Sequence, residues 1–194
     1  MANLSVGRLL IKLSFPPMLG MVVYSMLSIV DTFFIARLGS AALAALTITI
    51  PIQMLIISLA SATGIGVTSL ISRTLGSGNI ELSDNIAWHG IILSIFYGVI
   101  FAYIGNHYVD SLLLLFGATP ETFYLSKEYL HIILRGCIFI FIPMNIGNII
   151  QGEGNTFLPI VVSLIGISLN VIFDPILIFG LGAFKGLGIK GAAI

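Results

Sequence analysis

Asp31 and Asp174 are each the only charge within a long apolar run. An ionisable side chain at the centre of a bilayer costs at least about 2.5–3.5 kcal/mol, so each should face a cavity or a partner rather than lipid. Asn170 precedes Asp174 by four residues, a spacing that puts both on one face of a helix. Its amide sets one acceptor and two donors beside the carboxylate. Pro175 follows directly and has no N–H, so the Val171 carbonyl lacks its helical donor. A carboxylate, an amide oxygen and a loose carbonyl are hard-oxygen ligands for a proton or Na+. The plainer alternative is a pair of hydrated interfacial aspartates and a kinked helix with a satisfied polar patch.

No other constellation offers chemistry. The sequence contains no P-loop, no G-x-S-x-G and no H-E-x-x-H, which argues against an enzyme or an ATP-driven pump. The Gly-rich stretch GLGAFKGLG lacks the strand a nucleotide fingerprint needs. His89, His107 and His131 show no metal spacing and suit interfacial positions, and the single Cys137 has no partner for an intrachain disulfide. Asn145 and Asn148 follow Pro143 and suit packing between helices, Gly64 and Gly66 suit close helix approach, and Pro51 and Pro143 suit kinks.

The elements that must position the aspartates are membrane helices. Of 194 residues, 58% are hydrophobic and only 8% charged, with Lys plus Arg equal to Asp plus Glu at 8 each. A soluble domain is about 25% charged, and the mean hydropathy of +1.13 is far too apolar for a water-facing surface. These values exclude a disordered chain, a disulfide scaffold and an ordinary soluble enzyme. Zero net charge offers no attraction to nucleic acid. Five apolar runs have the length of tilted spans: Leu13 to Ala36, Leu46 to Ser72, Ile86 to Gly105, Leu130 to Ile150 and Phe157 to Phe179. No alternation typical of barrel strands is present. The fold class is therefore an all-α integral membrane protein.

The connections are short, polar or Gly-rich, except Asn106 to Tyr129, whose Ser111 to Phe116 stretch suits a short interfacial helix. Gly191 to Ile194 reads as the start of a sixth helix. Arg8 and Lys12 resemble a signal-peptide basic region, but the following apolar run is too long and holds two prolines and an aspartate. Lys and Arg are split between both sides, so orientation rests on Arg8 and Lys12 favouring an inside N-terminus. Spans one and five run in the same direction. Asp31 lies 18 residues after Leu13 and Asp174 lies 17 after Phe157, so both sit ~25–27 Å along their helices, at matched depth. Pro16 and Pro17 are innocuous at a first turn and a hinge one turn deeper.

Four stretches together resemble the multidrug and toxic compound extrusion (MATE) family: VDTFFIARLGSAALAAL from Val30, SRTLGSGN from Ser72, QGEGNTFLP from Gln151, and SLNVIFDPILIFGLGAFKGLGIKGAAI from Ser168. The N-x-x-x-D pair of Asn170 and Asp174, with Asp31, is most similar to the prokaryotic branch related to the DNA-damage-inducible transporter. The resemblance covers residues 1–194 as one N-terminal lobe, with five complete spans and the start of a sixth. It implies a secondary antiporter of two six-helix lobes. Such a protein exchanges cationic or amphiphilic drugs for inward H+ or Na+ across the cell membrane, with its N-terminus cytoplasmic. It implies Asp31, Asn170 and Asp174 as the cation-coupling residues, with H+ or Na+ as the ion, and Pro16 as the hinge of the first helix; Pro175, by its missing N–H, is a second hinge. No cofactor is expected beyond the coupling ion. The expected partners are small-molecule drugs or organic cations, the lipid bilayer, and a missing C-terminal lobe or a second copy; nucleic acid is not among them.

Two other functions compete. A lipid-linked oligosaccharide flippase of the same superfamily would need several Arg or Lys in its cavity for pyrophosphate, and only Arg135 lies within a span. A non-transporting membrane fragment is the third.

Overall fold

The computed structural model describes residues 6–181 and 184–194, with side chains from Phe15 onward apart from positions 16, 17, 19, 23, 24, 181 and 184. It is an all-α bundle. The long helices are α1 (Val6–Ala36), α2 (Ser40–Gly76), α3 (Ile80–His107) and α7 (Phe157–Phe179). Between α3 and α7 lie the short α4 (Val109–Leu115), then α5 (Pro120–Arg135) and α6 (Cys137–Gly152). A hairpin of two-residue strands, β1 (Gly180–Leu181) and β2 (Phe184–Lys185), and a 3-10 helix, Gly188–Ala193, follow α7.

Helices α2, α3 and α7 are each long and apolar enough to cross a membrane, and α1 contributes an apolar stretch, Gly20–Ala36. The fourth span departs from the sequence expectation. It begins at Pro120 rather than Leu130 and consists of α5 and α6, bent by 48° at Gly136. The stretch 120–129 was expected to be loop because it is polar, yet it carries strong start signals. Pro120 takes the first helical position and Thr119 and Thr122 form a capping box. The break falls at a glycine, the weakest helix former after proline. The expected kinks at Pro51 and Pro143 lie within helices that run on through them.

The core is a frame of α2, α3, α5 and α6. Ile56, Leu113, Leu130, Leu134 and Phe141 are buried together in it. Small residues bring the frame together: a β-carbon at Gly98 would lie 2.9 Å from the Ile138 α-carbon, so α3 and α6 meet backbone to backbone. Thr68 donates to the Asn148 carbonyl at 2.7 Å and Ser72 to the Gly152 carbonyl at 3.1 Å, tying α2 to α6. Asn145 donates to the Gly90 carbonyl at 2.9 Å and to Ser94 Oγ at 2.8 Å, tying α6 to α3. The asparagines after Pro143 are thus packing amides. Outside the frame α1 packs along α7. Large apolar side chains such as Met26, Phe96, Phe139 and Ile172 are exposed, as expected where lipid is the solvent.

The short helix expected near Ser111 to Phe116 is α4, with Leu113 turned into the core and Leu114 and Leu115 outward. His131 Nδ1 pairs with Asn106 Oδ1, and His89 Nδ1 with the Asn85 carbonyl. Among the described residues no three His, Cys, Asp or Glu side chains gather as a metal site.

Candidate functional site: an acidic cavity where α1 meets α7

Ser28, Asp31 and Thr32 follow one another at spacings of three and one, so they share a face of α1. That face opens on a cavity of about 220 Å³. Its polar lining is Ser28, Asp31 and Thr32 from α1, Gln53 from α2, Tyr129 from α5 and Asn170 from α7. Leu27, Leu46, Ile50 and Ala192 complete the wall. Among the described residues no Lys, Arg or His lines it.

The hydrogen bonds of the lining leave oxygen toward the space. Thr32 spends its hydroxyl proton on the Ser28 carbonyl at 2.7 Å, and Thr49 spends its own on the Leu46 carbonyl at 2.7 Å. Gln53 gives one amide hydrogen to Thr49 Oγ1 at 3.1 Å, and its amide oxygen stays able to accept. Asp31 Oδ1 is shielded from solvent and has no hydrogen-bond partner among the described residues.

Asp174 stands one turn beyond Asn170 on the same face of α7. It is 4% exposed, and its Oδ2 also has no partner among the described residues. Asp31 stands on α1 and Asp174 on α7, two helices that pack along each other. An unpartnered buried polar atom is costly, and an unpaired buried charge more so. The lining's carboxylate, hydroxyl and amide oxygens, with no basic group among the described residues, are of the kind that hard cations take as ligands.

Of the residues singled out from the sequence, Asp31 and Asn170 line the cavity and Asp174 adjoins it. Pro175 lies inside α7, which continues through it to Phe179. Pro16 lies within α1, and its side chain falls outside the described residues. Arg135 is exposed and away from the cavity. Gln53, Tyr129, Ser28 and Thr32 were missed. The signals were present: a polar triplet at helical spacing around Asp31, and one glutamine in an uncharged span. Tyr129 has none, because the sequence places it at the end of a polar connection.

A second, more open hollow of about 520 Å³ lies on the same α1–α7 seam toward the opposite end of both helices. Met21, Pro159, Ile160 and Ile167 make it apolar, with Ser25, Ser163 and Gln151 as polar points.

Comparison with known proteins agrees with this architecture. The MatE family model matches residues 16–176. The chain is 32% identical over 189 residues to the FAD transporter of Shewanella oneidensis, covering 97% of this chain and 42% of that protein. It is 29% identical over 186 residues to the probable multidrug resistance protein NorM of Thermotoga maritima, covering 95% and 40%. Among solved structures, a multidrug resistance MATE family transporter of the MOP superfamily in an outward-facing conformation superimposes with a TM-score of 0.87 at 35% identity. That match covers 94% of this chain and 40% of the other. The chain thus spans about two-fifths of the length of the relatives it matches.

Proposed function

The chain belongs to the MatE family, and on that premise we propose that it forms one lobe of a multi-pass exporter driven by H+ or Na+ in the cell membrane. The cargo is cationic or amphiphilic, and the N-terminus is cytoplasmic. The cation binds at Asp31, Asn170 and Asp174, and its binding neutralises two acids that otherwise repel. Export requires a second lobe, from the same polypeptide or another copy, because alternating access rocks one repeat against the other.

The observation that carries this reading is the cavity between α1 and α7, lined by Asp31 and Asn170, with a buried unpartnered oxygen on each aspartate. Its volume of about 220 Å³ admits a small cation with several waters. The apolar hollow on the same seam suits amphiphilic cargo.

A second reading has one observation in its favour. A relative at 32% identity is a FAD transporter, so an anionic flavin nucleotide is a competing cargo. The flippase reading has less support, since Arg135 is exposed and does not line the cavity.

The test is transport by the two-lobed protein in liposomes under an imposed pH or Na+ gradient. Ethidium export that needs the gradient and is lost in Asp31→Asn supports the first reading. Gradient-independent export, or flavin nucleotide movement without ethidium movement, overturns it.

A further inference from the structure

The chain doubles back after α7 against the acidic cavity, to whose wall it contributes Ala192. Leu187 donates its backbone N–H to the Leu177 carbonyl at 2.8 Å. A β-carbon at Gly191 would lie 2.4 Å from that same carbonyl oxygen, and one at Gly186 would lie 2.5 Å from the Phe179 carbonyl carbon. Only glycine permits approach this close to a backbone. Leu177 comes three residues after Asp174, so these contacts grip the turn that carries the carboxylate. Ile189 is buried in a cluster with Ile35, Leu46 and Tyr129, and Ala192 is part of the cavity wall.

An ion pair joins this segment to the facing wall. Lys190 Nζ lies 2.8 Å from Glu128 Oε1, with the glutamate side chain 20% exposed and the lysine 46%. Glu128 precedes Tyr129, which lines the cavity from α5, and Lys190 comes two residues before Ala192, which lines it from the 3-10 helix. The pair therefore spans two walls of one space without itself entering that space.

The geometry points to a strap: residues 186–193 close the cavity on the membrane face where α1 and α7 end, and the Glu128–Lys190 pair is the latch that holds the strap shut. Opening it lifts Ile189 and Ala192 together and uncovers Leu46 and the carboxylates from that face. The inference concerns access to the cavity and holds whichever ion or cargo uses it.

The test needs a buried reporter beneath the strap. Leu46 is 7% exposed and lines the cavity. With Cys137→Ala removing the native thiol, Leu46→Cys is labelled by a membrane-impermeant thiol reagent on membrane-embedded protein. Glu128→Gln and Lys190→Gln should each speed labelling by about two- to fivefold, the scale of an exposed ion pair. The effect should shrink in high salt. The swapped pair, Glu128→Lys with Lys190→Glu, should return the rate toward that of the parent. Labelling unchanged by either single variant, or a swap that fails to restore it, overturns the latch.

Hydrogen exchange gives a second measurement with residue 46 left native. In Glu128→Gln the Leu187 amide should exchange about two- to fivefold faster, with the amides of α3 unaltered. No change at Leu187, or a uniform rise throughout the bundle, overturns the proposal.

Discussion

Asn145 is 2% exposed and bridges α6 to α3, so truncating it tests how the frame holds. Asn145→Ala removes two donations, to the Gly90 carbonyl and to Ser94 Oγ. Those two groups keep each other, because Ser94 Oγ also donates to the Gly90 carbonyl at 2.9 Å. Interhelical hydrogen bonds in membranes average ~0.6 kcal/mol, so the pair is worth ~1.2 kcal/mol. The void left by the amide adds about 1 kcal/mol, for a total of ~2 kcal/mol. Gly90→Ala acts on the same place from the other side. Its β-carbon would lie 3.0 Å from both Asn145 Oδ1 and Val67 Cγ2, an overpacking worth about 1–3 kcal/mol. In the double variant the new methyl group occupies the vacated space, which recovers the void term of about 1 kcal/mol and the part of the overpacking set by Asn145, while the Val67 contact and the helical preference for Ala are common to both Gly90 variants and drop out of the cycle. The double variant should therefore be at least ~1 kcal/mol more stable than the sum of the singles predicts. Reversible unfolding in mixed micelles measures the cycle. Additivity within about 0.5 kcal/mol would refute the packing argument.

Pro175→Ala returns an N–H to the Val171 carbonyl without interrupting α7, so folding should be unchanged or firmer while the ion dependence of export weakens; unaltered ion dependence in reconstituted protein would count against a role for that carbonyl. The strap should loosen in alkali. Its hydrogen bond and ion pair with Glu128, and secondarily Tyr124, hold the Lys190 ammonium above its ordinary pKa of 10.5. That stabilisation is complete below pH 10.5 and lost as pH rises through the folded value, so Leu187 amide protection, corrected for intrinsic exchange, should fall there and not in Lys190→Gln.

Hydrophobic length alone located the spans formed by α2, α3 and α7, because a bilayer demands ~20 apolar residues whatever their order. The same criterion failed between 120 and 129, where Glu121, Lys127 and Glu128 lower the hydropathy of a segment that caps and packs as helix. The bend at Gly136 lies outside the sequence expectation, which places kinks at prolines. For the site, isolated intramembrane charge identified Asp31 and Asp174, and helical spacing brought in Asn170. What spacing could not supply was which helices adjoin. That α1 lies along α7, and that α2 and α5 close the cavity with Gln53 and Tyr129, depends on long-range packing. The strap was unreadable for the same reason: Glu128 and Lys190 are 62 residues apart and meet only in the fold.

The central claim is that Asp31 and Asp174 serve one coupling cation, and a transport cycle of variants tests it most directly. Gradient-driven ethidium export is measured in liposomes for the two-lobed protein carrying Asp31→Asn, Asp174→Asn or both. Residues that act as a unit are non-additive, so each single variant should abolish the gradient-dependent component and the double variant should be no worse than either. Export that stays gradient-driven in Asp174→Asn, or partial losses that multiply in the double variant, would contradict a shared site.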